Sequence, residues 1–194
     1  MPTKGSSVTH YLHHYASPLG RITLAGNGEA LIGLWFEGQK YFGSTLREHY
    51  IEKNLPVFEQ ADDWLAIYFS GREPAFTPPL AIGAIETTPF RKSVWEILLT
   101  IPFGQTMTYG EVAEQIAKQQ KIASMSAQAV GGAIAHNPIS LMIPCHRVIG
   151  AKGKLIGYAG GITRKEKLLS MEQNGNGGDY ESSCNPCDRS VRHH

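Results

Sequence analysis

The chain has 194 residues, 42% of them hydrophobic and 18% charged, which is ordinary for a globular protein and enough to bury a core in one domain or in two small ones. No apolar run approaches the roughly 18 residues of a membrane span, and the first residues lack the apolar core of a signal peptide, so we expect no membrane partner and a cytoplasmic location. The three cysteines, two of them near the C-terminus, provide no disulfide framework and suit a reducing compartment.

The charges are unevenly distributed along the chain, although the net charge is only +1. Residues 85–173 carry ten Lys or Arg against six Asp or Glu, whereas residues 1–84 carry six against eight. A basic excess confined to one segment is typical of an electrostatic DNA footprint. Chance variation over a segment of this length is the alternative explanation.

The first half of the chain predicts strands followed by helices. Residues 21–25 and 30–36 have strand character and flank Gly26-Asn27-Gly28, which predicts the turn of a hairpin. Short helices are predicted over residues 44–51 and 61–69. The Pro-rich stretch 74–79 predicts a boundary between an N-terminal domain of residues 9–80 and a second domain of residues 85–173, with a disordered or added tail over residues 174–194.

The second half predicts helices over residues 89–99, 109–118, 126–136 and 163–172. The middle two are short and joined by a turn, which indicates a helix-turn-helix. Gly131 and Gly132 would each weaken the third helix by roughly 1 kcal/mol relative to Ala. They suit a backbone that must approach DNA or an active-site loop closely, and close packing of two helices is the alternative.

The run Ile143-Pro144-Cys145-His146-Arg147-Val148 is apolar until it reaches a cysteine followed by a histidine. A thiolate is the nucleophilic form of cysteine, and a nearby base or cation lowers the thiol pKa from its free value of about 8.5. The motif therefore predicts a reactive Cys145. A buried structural cysteine is the alternative, because free Cys is among the most buried residue types.

Further short motifs surround this run in a distinctive order. They are Ile101-Pro102-Phe103-Gly104, Thr108-Tyr109-Gly110-Glu111, Gln128-Ala129-Val130-Gly131-Gly132-Ala133, His136-Asn137-Pro138, Gly157-Tyr158-Ala159-Gly160-Gly161 and Lys165-Glu166-Lys167-Leu168-Leu169-Ser170-Met171-Glu172. In order, spacing and identity they resemble the O6-alkylguanine-DNA alkyltransferases. The resemblance is strong over residues 87–173, is limited to general pattern over residues 9–80, and does not reach the tail.

The resemblance implies a fold and an activity. The fold would be an α/β N-terminal lobe of ribonuclease-H-like type, followed by a mainly α C-terminal domain with a winged-helix-like helix-turn-helix. The activity would be DNA repair by direct reversal, in which Cys145 irreversibly takes the alkyl group, typically methyl, from O6-alkylguanine, with O4-alkylthymine as a further candidate substrate. The enzyme would act once, as a methylated-DNA–protein-cysteine S-methyltransferase, and would need no cofactor because the alkyl group arrives on the substrate.

The resemblance also implies roles for five catalytic residues. Cys145 would attack the alkyl carbon, His146 would act as base through a water, and Glu172 would orient the imidazole. Asn137 would tie the Cys145 loop to the recognition helix, and Tyr109 would give its phenolic proton to the departing guanine. Each supporting residue has an ordinary alternative: Glu172 as a solvated helix-end carboxylate, Asn137 as an Asn-Pro turn former and Tyr109 as a packing residue.

Substrate and DNA contacts follow from the same resemblance. Val148, Tyr158, Ala159 and Gly160 would line the guanine pocket. The DNA-binding set would be Gln128, Ala129, Gly131, Gly132 and Arg147, although Arg147 is also a structural part of the active-site turn in the family motif.

The partner would be double-stranded DNA, bound through the minor groove by a monomer, with the damaged nucleotide flipped out of the helix. The family usually has an arginine wedge where this chain has Gln128. In a bacterium the protein would associate with the nucleoid, and in a eukaryote it would be nuclear.

We expect no metal site. His10, His13 and His14 lie near the N-terminus without the cysteine that the zinc-binding relatives have there. Cys184 and Cys187 have partial ligand spacing, but they follow a Gly/Asn-rich stretch, which favours a disordered or added tail.

Two other functions are consistent with parts of the pattern. A non-catalytic binder of alkylated DNA would share the pocket but lack the nucleophilic cysteine, which is present here. A Cys-His-Glu hydrolase would leave the helix-turn-helix unexplained.

Overall fold

The computed structural model describes residues 9–47 and 49–175. Its N-terminal lobe contains a four-stranded sheet of order β3-β2-β1-β4. The strands are β1 (His10–Ser17), β2 (Gly20–Gly26), β3 (Leu31–Phe36) and β4 (Tyr50–Glu52). β1, β2 and β3 pair antiparallel, whereas β4 lies parallel to β1. The predicted hairpin is present, and the side chain of Asn27 accepts hydrogen bonds from the backbone of Glu29 and Ala30 in its turn.

Helix α1 (Pro56–Phe69) covers the sheet. Its buried face repeats at helical spacing and consists of Val57, Phe58, Ala61, Trp64, Leu65 and Tyr68. The helix begins five residues earlier than the sequence predicted, because Pro56 stands at a first-turn position, where a missing N–H costs nothing.

The helix predicted over residues 44–51 is wrong. Residues 41–45 form turns, and residues 50–52 form strand β4. Tyr50 and Ile51 have high strand propensity, and they pair with β1.

The C-terminal lobe is mainly helical. Its helices are α2 (Pro89–Leu98), α3 (Tyr109–Gln120), α4 (Ala127–Ala135) and α5 (Ile162–Asn174). A two-residue strand, β5 (Met107–Thr108), pairs parallel with β6 (Val148–Ile149), and 3-10 turns span Ile82–Ala84, Cys145–Arg147 and Ala151–Gly153.

The four predicted helices are all present, and side chains cap the starts of α2, α3 and α4. Thr108 and Glu111 form a reciprocal capping box at α3, and the side chain of Ser126 accepts the amide of Ala129 at α4. Helices α3 and α4 pack against each other and against α2, as expected for a helix-turn-helix supported by a third helix.

The two lobes share a hydrophobic core. One buried cluster contains residues of the sheet and α1, such as Leu34 and Phe58, together with residues of the helical lobe, such as Val94 and Leu168. The chain leaves the N-terminal lobe through residues 74–81, which lie mainly outside regular elements. In the described part of the chain, no helix has both the length and the apolar character needed to cross a bilayer.

The free edge of β3 receives a segment of the C-terminal lobe. The amide of Leu34 donates to the carbonyl of Pro138 at 2.8 Å, and the amide of Ser140 donates to the carbonyl of Leu34 at 2.9 Å. Since residues 138–140 lead directly to Cys145, the sheet holds the segment that carries the candidate nucleophile.

Candidate active site

Cys145 lies at the start of a 3-10 turn directly after Pro144, and its side chain is buried. The amide Nδ2 of Asn137 lies 3.0 Å from Sγ and 2.8 Å from the carbonyl oxygen of Ile143. The side-chain oxygen of Asn137 accepts the amide of Ile139 at 3.0 Å. Asn137 therefore shapes the turn after α4 and also binds the thiol, so the two roles considered for it occur together.

Burial raises the pKa of the Cys145 thiol, and the hydrogen bond from Asn137 and the charge of Lys165 only partly oppose this effect. The expectation of a lowered thiol pKa is therefore wrong for the resting protein, because a thiolate loses its hydration in this buried site. The thiol is protonated at rest. It needs a base to become a nucleophile.

His146 is the nearest histidine in sequence, and its imidazole is fully buried. Its Nε2 lies 2.7 Å from Oε1 of Glu172. Burial lowers the pKa of His146, with Glu172 opposing, so the resting ring is neutral. Because an ionised carboxylate can only accept, Nε2 carries the proton and Nδ1 carries the lone pair. Among the described residues Nδ1 has no hydrogen-bond partner, so it is available as a base.

Glu172 is fully buried on α5, which excludes the solvated helix-end reading. Arg147 donates to both carboxylate oxygens, through Nε to Oε2 at 2.9 Å and through Nη2 to Oε1 at 3.1 Å. The backbone amide of Gly104 donates to Oε2 at 3.0 Å. Burial by itself would raise the pKa of Glu172, but the contacts with His146 and then Arg147 outweigh it and lower the pKa to about 2.

Arg147 was predicted both as a DNA contact and as a structural part of the active-site turn, and its contacts in the structure belong to the second role. Its Nη1 donates to the carbonyl of Ile101 at 2.7 Å, its other donors bind Glu172, and the guanidinium lies over the ring of Phe103. These contacts engage three of its five N–H groups, and its side chain is only 11% exposed. The motif at residues 101–104 thus supports the side chains of Cys145, His146 and Glu172, which we call the catalytic relay. The φ of 73° at Gly104 explains why a glycine is present there.

Sequence reasoning missed Tyr68, whose hydroxyl lies 2.7 Å from Oε1 of Glu172 and 3.1 Å from Nε2 of His146. The residue lies 78 positions before His146, so no local spacing connects the two. The available signal was a tyrosine on the buried face of an amphipathic helix, since a buried phenol needs a polar partner.

Tyr109 lies at the start of α3, with its hydroxyl donating to the carbonyl of Gly157 at 2.7 Å. Burial, and then the negative charge that Cys145 carries as a thiolate, raises the pKa of Tyr109 to about 12. The phenol therefore keeps its proton at neutral pH and can donate it. Gly157 has a φ of 59°, and a Cβ there would lie 2.6 Å from the Tyr109 oxygen, so both conformation and space require glycine.

The other predicted pocket residues lie on the strand that follows the Cys145 turn and on the loop whose Tyr158 packs against His146. Val148 is fully buried, and the ring of Tyr158 meets the His146 ring edge-on at 6.4 Å between centroids. Gly160 packs against Tyr158, where a Cβ would come within 2.6 Å of the ring. The carbonyl of Ala159 accepts the amide of Lys40 at 3.1 Å, which ties this loop to the N-terminal lobe.

The sequence analysis also did not identify Lys165 as a residue of the site. Its ammonium binds the carbonyl of Val148 and those of Ile156 and Gly157, and burial lowers its pKa to about 8. It crosslinks the two sides of the pocket loop by backbone contacts. Its spacing of three, four and seven residues from Leu168, Leu169 and Glu172 places it on the buried face of α5, which the sequence could have shown.

The predicted DNA-binding residues of α4 form one outward face. Gln128, Ala129 and Gly132 are exposed, and Gly131 is half-buried beside Tyr109. A Cβ at Gly132 would meet no described atom within 4 Å, and one at Gly131 would make an ordinary contact of 3.7 Å with Tyr109. Helix packing therefore does not require either glycine, which favours close approach of an external molecule.

Residues 9–47 and 49–175 contain no group of three or more His, Cys, Asp or Glu side chains placed to hold a metal ion. The N-terminal histidines take other partners: His13 pairs with Asp62 at 2.8 Å, and His14 contacts Thr23 at 3.1 Å. The tail cysteines lie outside the described residues.

Two family models match the chain, and the first of them includes the Pro-rich stretch 74–79. Residues 10–82 match the ribonuclease-like domain of 6-O-methylguanine DNA methyltransferase, and residues 89–174 match its DNA-binding domain. The predicted fold class is confirmed, with a sheet-containing N-terminal lobe followed by a helical domain.

Characterised relatives cover most of the chain. A methylated-DNA–protein-cysteine methyltransferase of Mycobacterium bovis is 46% identical over 157 residues, covering 81% of this chain and 88% of its own. One of Methanosarcina barkeri is 45% identical over 159 residues, covering 81% and 94%. The crystal structure of Mycobacterium tuberculosis OGT in complex with DNA superposes with a TM-score of 0.73 at 42% identity, covering 85% of this chain and 94% of that one. On this agreement of sequence, fold and site, the chain belongs to the 6-O-methylguanine DNA methyltransferase family.

Proposed function

We propose that this protein repairs alkylated DNA by direct reversal, transferring the alkyl group of O6-alkylguanine to Cys145. The observation that carries the proposal is the buried Cys145 thiol, bound by Asn137 and followed by a neutral His146 whose Nε2 is held by Glu172. The relatives named methylated-DNA–protein-cysteine methyltransferase are 46% and 45% identical to this chain, each over 81% of its length.

The first step makes the nucleophile. The thiol proton moves to Nδ1 of His146, through a water because adjacent residues point in different directions. The other proton stays on Nε2, hydrogen-bonded to the Glu172 carboxylate, so the carboxylate stabilises the imidazolium that forms. Lys165 and Asn137 stabilise the thiolate by charge and by hydrogen bonding.

The second step is a displacement at the alkyl carbon. Sγ forms a bond to carbon while the bond from carbon to O6 breaks, and its electron pair passes to guanine. The Tyr109 hydroxyl gives its proton to the guanine ring, so that the leaving group departs neutral. The thioether has no leaving group of its own, and each protein molecule therefore reacts once.

DNA recognition is assigned to the exposed face of α4. A guanine inside a duplex cannot reach a buried thiol, so the nucleotide must be flipped out at a cost of a few kcal/mol. We place α4 in the minor groove, where the small residues Ala129, Gly131 and Gly132 permit close approach and Gln128 meets the orphaned base. In this proposal the protein acts as a monomer. It is cytoplasmic and lies at the nucleoid in a bacterium, or it lies in the nucleus in a eukaryote. O4-alkylthymine is a second substrate to be tested.

The test is the intact mass of the protein after incubation with a duplex oligonucleotide that contains O6-methylguanine. We expect a gain of one methyl group per protein in any excess of substrate, located on Cys145. Cys145→Ala should gain no mass and should still bind the duplex. Continued turnover would indicate a hydrolase, and binding without a mass change in the unaltered protein would indicate a lesion marker. Either result would contradict the proposal.

A further inference from the structure

The N-terminal lobe contributes one side chain to the catalytic relay. Tyr68 lies near the end of α1, is fully buried, and brings its hydroxyl to 2.7 Å from Oε1 of Glu172 and 3.1 Å from Nε2 of His146. Its ring stacks on Trp64 and meets Phe103 edge-on. The hydroxyl is therefore fixed by packing on both sides of the ring.

The direction of these hydrogen bonds follows from the protonation of each group. Glu172 is ionised and only accepts. Burial, and then the charge of Glu172, raises the pKa of Tyr68 well above its ordinary value of 10.0, so the phenol keeps its one proton. The phenol donates that proton to the carboxylate over the shorter contact, which is charge-assisted. Its oxygen lone pairs are left facing the Nε2–H of His146.

We propose that Tyr68 is a positioning residue of the transfer reaction: its hydroxyl holds His146 as the neutral tautomer with the proton on Nε2 and Nδ1 open to the Cys145 proton. This inference rests on the proposed alkyl transfer, in which Nδ1 is the base. The Nε2–H lies between two acceptors, so the ring cannot turn without losing both. Tyr68 also shares Oε1 with the imidazole, which limits how strongly the carboxylate can stabilise a doubly protonated ring.

Tyr68→Phe removes the hydroxyl and keeps the ring. The variant loses the phenol oxygen beside Nε2–H at 3.1 Å, which lowers the pKa of His146, and the phenol proton on Oε1 at 2.7 Å, which raises it. The second contact is shorter and charge-assisted, so we expect its loss to dominate and the pKa of His146 to rise. More of the histidine then carries both protons in acid, and that form cannot accept the thiol proton. We expect transfer to be roughly threefold or more slower than in the unaltered protein at about pH 5.5, and within about twofold of it at about pH 8.

The experiment measures single-turnover transfer from an O6-methylguanine oligonucleotide, followed by intact mass, from about pH 5 to about pH 9. Tyr15→Phe is the matched control, because Tyr15 is a half-buried tyrosine that stacks on Phe69 and, among the described residues, makes no hydrogen bond to His146 or Glu172. The control should not change the pH at which the transfer rate falls on the acid side of the pH–rate profile, which we call the acid limb. In a Glu172→Gln background, Tyr68→Phe should no longer move the limb, because Tyr68 acts through the carboxylate.

The outcomes separate this role from a structural one. An acid limb that coincides with that of the unaltered protein overturns the assignment, and so does a slowing that is equal at every pH, because a tyrosine needed only for packing would not move the limb. A shift that persists in the Glu172→Gln background also overturns it. If the unaltered protein gains no alkyl mass, the proposed function fails together with this inference. If it does transfer and the limb does not move, only the role of Tyr68 fails.

Discussion

Glu172 is the residue at which the polar contacts of the site converge. It accepts hydrogen bonds from His146, Tyr68, Arg147 and the backbone amide of Gly104. A carboxylate bonded on both oxygens is stabilised as the anion, although its burial works in the opposite direction. The folded protein therefore prefers an ionised Glu172 more strongly than the unfolded chain does.

This preference predicts the acid stability of the protein. Because folding lowers the pKa of Glu172 from 4.5 to about 2, its contribution is complete above pH 4.5 and is lost as the pH falls toward 2. The difference corresponds to about 3 kcal/mol of unfolding free energy. We expect Glu172→Gln to destabilise the protein most above pH 4.5 and progressively less below it, as measured by urea unfolding at several pH values.

Glu166→Gln provides the control, because Glu166 lies on the same helix and is exposed. It should change the unfolding free energy by no more than about 0.5 kcal/mol at any pH. A deficit in Glu172→Gln that is the same at pH 3 as at pH 7 would show that the carboxylate is not the source of the pH dependence.

Single residues differ in how far the sequence could predict them. Cys145, His146, Asn137 and Glu172 lie together in the structure because the motifs that contain them form adjoining turns and the buried face of α5. The pKa values of these residues could not be predicted from the motifs in the same way. The thiol pKa is raised and not lowered, since it depends on how completely the fold removes water from Sγ.

Among the elements, α4 has the clearest division between structure and function. Its inner face packs through Val130, Ala133 and Ile134, and the carbonyl of Ala133 accepts the indole N–H of Trp95 at 3.0 Å. Its outer face presents Gln128 with small residues beside it. A substitution at Gln128 can therefore change what the helix binds without changing how the helix is held.

The prediction for this face compares a duplex with a free base. Gln128→Arg adds a charge and a hydrogen-bonding fork, each suited to the negative potential of the minor groove. We expect repair of O6-methylguanine in duplex DNA to become faster by roughly fivefold, the equivalent of about 1 kcal/mol for a charge-assisted hydrogen bond. Gln128→Ala should slow duplex repair. Reaction with free O6-methylguanine, which needs no flipping, should change little in either variant.

Gln60→Arg serves as the control, because it adds the same charge on an exposed position of α1. It should have little effect on either substrate. Equal effects of the Gln128 variants on the free base and on the duplex would show that Gln128 acts within the active site and not on the DNA.

Helices were predicted well where the signals are local. The caps at Thr108 and Ser126 and the proline at Pro89 are all within one turn of the helix starts that they specify. The segment over residues 44–51 was predicted wrongly because its strand forms only by pairing with β1, some forty residues earlier in the chain. A short segment of this kind takes its conformation from a partner that local pattern does not reveal.

On the scale of the whole molecule, the lobes are connected by far more than the chain between them. Arg164 binds the carbonyls of Leu19 and Glu37 in one lobe and of Gly160 in the other, and it lies over the ring of Phe36. The resemblance to the alkyltransferases implied the two lobes, but it did not imply that Arg164 connects them. The contacts of Arg164 with Leu19 and Glu37 join residues more than a hundred positions apart, a separation at which motif spacing carries no information.

The placement of residues 138–140 on the edge of β3 has a consequence for the covalent link between the lobes. Residues 75–77 are exposed, so a protease recognition sequence inserted there should be cut in the folded protein. The cut chain would still contain the backbone ladder at Leu34 and the shared core. We expect the two pieces to elute together in size-exclusion chromatography, to retain alkyl transfer, and to regain it when they are separated in urea and remixed.

Separate elution in native buffer, or loss of transfer on cutting alone, would contradict this expectation. If the pieces stay together, the linker serves as a tether that raises the local concentration of one half near the other. The protein would then be a heterodimer of fragments that is synthesised as a single polypeptide, and either half could be isotopically labelled or chemically modified before reassembly.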